Sequence, residues 1–220
     1  MRQDALARRL RHVRWIGGGS GGGKSTISRR LADRYSLRRY PSDDAMPDHA
    51  RRLSPQAAPY LHRFIAMDMD ERWVHRTPEE MLETFHWYQG EGFDEIVADL
   101  LRLPDDPIVV VEGFRLLPDL VAPLLTDPDH AVWLLPTPGF RAAVFEARGG
   151  QSWGFLARTG DPGRALANLL DRDRMFTARL TEQVRRLGLT GLELDGRTAE
   201  ADTVRLVATA FGLDPRRGVS

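Results

Sequence analysis

The sequence predicts an α/β protein: a parallel sheet of five strands with helices on both faces. Three observations carry this expectation. Short apolar runs alternate with longer helical patterns along the chain. The run Ile108-Val109-Val110-Val111 shows no polar alternation, as a strand buried on both faces requires. A glycine-rich segment stands between the first apolar run and the first long helical pattern, so a tight loop joins a strand to a helix.

Taken in order, the first dozen residues read as a short amphipathic helix with Leu6 and Leu10 at spacing four. Val13, Trp15 and Ile16 form the first strand, which Gly17 ends. Ile27 and Leu31 mark a helix running to about Tyr35. Further strands are expected at 37–40, 108–111, 131–135 and 191–194, each an apolar run bounded by turn formers. Helical patterns fall at 59–74, 78–88, 93–103, 117–125, 139–147, 165–187 and 198–211. Two stretches break the alternation: a largely helical insertion at about 41–103 and a Gly- and Arg-bearing segment at about 148–163. In the insertion, Phe64, Met67, Met81, Leu82 and Phe85 are expected in the helix packing. The tail from 214 to 220 is expected to fray. The length of 220 residues suits a single domain, 1–220, with a full-sized core.

Composition excludes several classes. Hydrophobic residues make up 42% and charged residues 28%, as in a globular protein rather than a disordered one. Lys+Arg 31 balances Asp+Glu 31, so there is no field suited to a nucleic-acid polymer. The absence of cysteine excludes disulfides, thiolate metal sites and cysteine nucleophiles, and fits the cytoplasm. No apolar run approaches the roughly 20 residues that span a bilayer, so no membrane partner is expected. Among the 31 basic residues only Lys24 is a lysine, and the other 30 are arginines. A chain that otherwise avoids lysine keeps one where the chemistry needs a compact ammonium.

That lysine ends Gly18-Gly19-Ser20-Gly21-Gly22-Gly23-Lys24-Ser25, which fits the phosphate-binding pattern G-x-x-x-x-G-K-[ST]. Glycines let successive N–H groups converge on a phosphate, and the following helix adds its own free amides and dipole. Gly19, Ser20, Gly21, Gly22, Gly23, Lys24, Ser25 and Thr26 are the expected nucleotide contacts. Lys24 would reach the β- and γ-phosphates, and the Ser25 hydroxyl would ligate Mg²⁺. Val109-Val110-Val111-Glu112-Gly113 has the shape of a strand ending in a metal-serving acid, so Glu112 is the second expected Mg²⁺ partner. A guanine-reading Asn-Lys-x-Asp element would need a second lysine, which the chain lacks.

With that loop and this size, the layout resembles the small-molecule P-loop kinases: shikimate and gluconate kinases, nucleoside and nucleoside monophosphate kinases, and antibiotic O-phosphotransferases. The resemblance implies the three-layer P-loop NTPase fold, with a helical acceptor-binding insertion and a lid. It implies ATP and Mg²⁺ as cofactors and phosphoryl transfer to a small acceptor, nucleoside- or nucleotide-like first, sugar-like or antibiotic second. In shikimate-kinase-like enzymes an acid after the second strand meets the acceptor hydroxyl. Asp43 falls there, with Pro41 where a further acid often stands, and Asp44 is open either as the base or as a turn or cap residue. Arg148, Arg158 and Arg164 fall on or beside the lid, Arg158 as the catalytic candidate. Arg172 lies where the post-lid helix of such kinases faces the site. Phe114 and Arg115 are candidates for the acceptor wall. The alternative is a regulatory NTPase whose nucleotide occupancy switches a partner surface. A monomer or a homodimer fits either reading.

Overall fold

The computed structural model describes residues 3–213. Five strands form one all-parallel sheet: β1 (Val13–Gly18), β2 (Arg38–Pro41), β3 (Val109–Glu112), β4 (Ala131–Pro136) and β5 (Thr190–Leu194), in the order β2-β3-β1-β4-β5. The helices are α1 (Gln3–Arg9), α2 (Lys24–Tyr35), α3 (Met46–Arg52), α4 (Pro59–Ala66), α5 (Met69–Trp73), α6 (Pro78–Thr84), α7 (Phe93–Leu100), α8 (Pro118–Val121), α9 (Pro138–Ala147), α10 (Pro162–Arg186) and α11 (Glu200–Ala210).

Strand periodicity divides the core in two. Val13 and Trp15 of β1, Val109 and Val111 of β3, and Ala131, Trp133 and Leu135 of β4 pack into a large core with α7, α8 and α10. Ile16, Val110, Val132 and Leu134 point the other way, into a second core closed by α2 and α11. Alternate side chains leave opposite faces of a strand, and here both faces are dry. Helices therefore cover both sides of the sheet, as the apolar runs predict.

The departures from expectation are local. The helix expected at 59–74 is broken into α4 and α5. Asp68 starts a new helix by accepting from the Glu71 N–H at 2.8 Å, while Glu71 Oε2 accepts from the Asp68 N–H at 2.9 Å. The pattern at 78–88 stops being helical at Thr84, which frees Phe85, His86, Trp87 and Tyr88 to turn toward the site. The pattern at 93–103 is helical only to Leu100. The segment 117–125 is a single turn, α8, followed by a 3₁₀ turn, Ala122–Leu124. Helix α3 was not expected. Helix α10 begins at Pro162, where the Asp161 side chain accepts from the Arg164 N–H at 2.9 Å. The tail from 214 to 220 lies outside the described residues. Among the described residues no helix is long and apolar enough to cross a membrane.

The Trp133 side chain, paired opposite on β4, leaves Gly17 no room for a side chain. A Cβ there would collide with the Trp133 indole and lie 2.7 Å from the Leu116 carbonyl. Trp133 is wholly buried and donates its indole N–H to that carbonyl at 2.9 Å. Gly17→Ala therefore overpacks the root of the glycine-rich loop. It should lower unfolding stability by about 1–3 kcal/mol, read as a lower denaturant midpoint at unchanged slope.

Candidate functional site

The register places Gly18 of β1, Pro41 of β2 and Glu112 of β3 at one end of the sheet. This is the carboxyl edge, where open parallel sheets gather ligands. The pairing with β4 runs one residue past Gly18, with the Gly19 N–H donating to the Leu134 carbonyl at 3.0 Å, before the loop leaves the sheet. Gly23 then adopts a left-handed conformation, φ 72°, as the residue before α2, and a Cβ there would meet open space. The first residues of α2, whose amides lack intrahelical partners, line the cavity that opens beside the loop.

That cavity measures about 160 Å³ and is polar. Gly21, Gly22, Gly23, Lys24, Ser25 and Thr26 form one side, with Asp43, Glu112, Phe114 and Arg148 around it. Lys24 is buried and lies 3.8 Å above the Phe114 ring. Its Nζ donates to the carbonyls of Gly18 at 3.1 Å and Gly19 at 2.9 Å. Burial pushes the Lys24 ammonium below its ordinary pKa, against the pull of Asp43 and Glu112.

A second, larger cavity of about 580 Å³ lies beside it and is almost wholly apolar. Asp43 and Phe114 are the two residues that line both. Asp43 Oδ1 accepts from the Phe114 N–H at 3.2 Å. Burial raises the Asp43 carboxyl to about 6, helped by Glu112 and opposed by Lys24. Gly113 allows this packing: φ is 155°, and a Cβ would strike Ser42 Oγ and stand 2.7 Å from Asp43 Oδ1.

The remaining sequence candidates divide. Asp44 is exposed and lines neither cavity, so the acid presented to both is Asp43. Ser20 lines the apolar cavity instead of the polar one, because its hydroxyl donates to Asp173. Arg148 reaches the polar cavity, its guanidinium 5.7 Å from the Trp153 ring. Arg158 and Arg164 are exposed and line neither cavity. The segment winds through 3₁₀ turns Gly150–Ser152 and Leu156–Arg158, which bury Leu156 and Thr159 and turn Arg158 outward. Arg115 is wholly buried behind the site and is no part of either wall. It donates to His49 Nδ1 at 2.8 Å, to the Gly92 carbonyl at 3.1 Å and to the Ser42 carbonyl, and so fixes the turn that carries Asp43.

Arg172 does face the site. It is buried in the wall of the apolar cavity, with Nε 2.9 Å and Nη2 2.6 Å from Asp173 Oδ1. No sequence motif marks Asp173, yet it joins the site. It accepts from Tyr88 at 2.7 Å, from Arg172 and from the Ser20 hydroxyl. The signal was present: Leu169, Asp173, Phe176 and Leu180 share one helical face, and an acid on an apolar face needs donors. Arg141 likewise stands outside every sequence motif. It is buried and donates to the Ser20 carbonyl at 3.2 Å, which braces the glycine-rich loop from below.

Ser25 and Glu112 bring oxygen donors to the polar cavity. Among the described residues no group of three or more His, Cys, Asp or Glu is assembled. A Mg²⁺ site needs none, since that ion takes one or two protein oxygens and fills its shell with water and phosphate. No protein-family model matches the chain, and no curated protein matches it.

The raised Asp43 carboxyl has a consequence for stability. Between pH 3.8 and about 6 the folded chain holds this proton and the unfolded chain releases it, so stability falls as pH rises through that window. Asp43→Asn removes the term. In ligand-free protein the variant should gain about 1–2 kcal/mol over wild type at neutral pH relative to the same comparison near pH 4, measured by chemical unfolding at both pH values.

Proposed function

We propose that this chain is a P-loop phosphotransferase that moves the γ-phosphoryl group of ATP to a hydroxyl on a small acceptor, with Mg²⁺. The observation that carries this reading is the shared position of Asp43, one carboxylate that lines both the polar cavity at the glycine-rich loop and the apolar cavity beside it.

The roles follow from the chemistry of each group. The loop amides from Gly21 to Thr26 and the N-terminus of α2 favour a phosphate chain over water. Lys24, held by its own loop carbonyls, is a fixed cation at that place. Ser25 and Glu112 would hold Mg²⁺, which when bound neutralises charge on the phosphates. Asp43 orients the acceptor hydroxyl and takes its proton as the new O–P bond forms. A carboxyl titrating near 6 is ionised at neutral pH and yet basic enough to help. Arg148 at the rim offers a cation to the transferring group when the segment closes.

The test uses three variants and separates binding from chemistry. Lys24→Ala should lose ATP affinity and turnover together. Asp43→Asn should keep ATP affinity and lower kcat by about 10²–10⁴-fold. Asp44→Asn should behave as wild type. The readouts are calorimetric ATP binding and acceptor-dependent release of ADP. Full turnover in Lys24→Ala would falsify the assignment. ATP hydrolysis that ignores every small acceptor but responds to a protein partner favours the regulatory NTPase instead.

A further inference from the structure

The large cavity is walled mainly by aromatic rings. Its walls include the rings of Phe64, Trp73, Phe85, Trp87, Trp153 and Phe155. Rings also pack on one another there, with Trp73 and Phe155 at 4.5 Å and Trp87 and Phe114 stacked at 5.4 Å. At about 580 Å³ it lies within the usual range of small-molecule sites.

Its charges are largely spent on each other. Arg172 and Asp173 form a buried ion pair, and the guanidinium is boxed by Trp73, Phe85 and Tyr88 at 4.6–5.2 Å. The Tyr88 and Ser20 hydroxyls both go to Asp173. What remains is a short set of unused polar atoms. Arg172 Nη1, His86 Nδ1 and Trp87 Nε1 are buried in lining residues and have no hydrogen-bond partner in the chain. Burial, with Arg115 and Arg172 nearby, pushes His86 down to about 3, so it is a neutral ring here.

We propose that this cavity takes an uncharged aromatic compound bearing a hydroxyl, with the rings between the aromatic walls and the hydroxyl at Asp43. The clefts of the walls suit flat rings, which stack and lose few hydrogen bonds on leaving water. Arg172 Nη1 and Trp87 Nε1 are sealed from solvent, so the wall offers an occupant little polar contact beyond Asp43, which suits a ring system with few polar groups besides its hydroxyl. A sugar brings more hydroxyls than the unused atoms can satisfy. An aminoglycoside brings several cations, and the wall offers only Asp43, since Asp173 is paired with Arg172. A nucleoside monophosphate brings a dianion beside Asp43 to an arginine already neutralised.

The proposal deepens the phosphotransferase reading, which supplies the fate of the hydroxyl. The acceptor O–H would lose its proton to Asp43, an acceptor O–P bond would form, and the bond from the γ-phosphorus to the bridging oxygen would break to release ADP. Binding to the cavity stands apart from that step and is measured without ATP.

Isothermal titration of the full chain with 2-naphthylmethanol, 4-nitrobenzyl alcohol, glucose, AMP and kanamycin decides it. The two aromatic alcohols should bind at least about tenfold tighter than the other three. Phe155→Ala should weaken them by about tenfold. Ile65→Glu, which changes an exposed side chain at the cavity wall (53% exposed), should weaken them too while leaving the fold intact. Lys24→Ala should abolish ATP binding while the aromatic alcohols still bind more tightly than glucose, AMP and kanamycin. Tighter binding of glucose, AMP or kanamycin overturns the proposal. So does no binding of either aromatic alcohol at millimolar concentration, or binding that both cavity variants leave unaltered. Failure of wild type to bind ATP, with the aromatic alcohols still bound, sinks the kinase reading and leaves this one standing.

Discussion

A carboxylate removed from water is tolerated only where donors surround it, and Asp173 meets that condition with donors from three parts of the chain. Ser20 comes from the glycine-rich loop, Tyr88 from the insertion between β2 and β3, and Arg172 from the same long helix. Movement of the loop or of the insertion would take one of these donors from the buried carboxylate. The loop, the insertion and α10 are thereby fixed to one another, and both cavities lie among the parts so fixed. Arg141 extends the same logic below the loop through the Ser20 carbonyl and Thr177.

On the opposite side the turn after β2 is held by a second buried cation. Arg115 has no room to be a ligand for anything but the protein. It spans Ser42, His49 and Gly92, and His49 in turn meets Asp99 at 2.8 Å. This cluster presents Asp43 from a rigid backing, and Gly113 leaves space for the Asp43 carboxyl against β3. Rigidity matters because partial burial of Asp43 raises its pKa only while the carboxyl keeps this place. The polar and apolar cavities are then separate environments that meet at one titratable group.

Much of the sheet was legible because its signal is local. A strand buried on both faces must be apolar throughout, so Val109 to Val111 and Ala131 to Leu135 announce themselves. The loop was legible because a left-handed backbone needs glycine, and Lys24 stood out because no other lysine competes with it. Helix breaks were less so. The restart at Asp68 depends on a small capping group inside a pattern that continues to look helical, and the stop at Thr84 has no capping group to mark it. The arginines were least legible. With 30 of them, the sequence gives no local reason why Arg172 turns inward, Arg115 is sealed behind the site and Arg158 faces solvent.

Local pattern alone carries the parallel α/β class, the position of the glycine-rich loop between β1 and α2, and the placing of acids at the ends of β2 and β3. Each follows from constraints within a few residues: side-chain periodicity, backbone conformation and chain punctuation. Tertiary structure decided which of Asp43 and Asp44 is presented to the cavities, which arginines are walls or braces, and that Asp173 joins the site. Those outcomes turn on which charges are buried together. Burial is a property of elements far apart in the chain, so no local pattern encodes it.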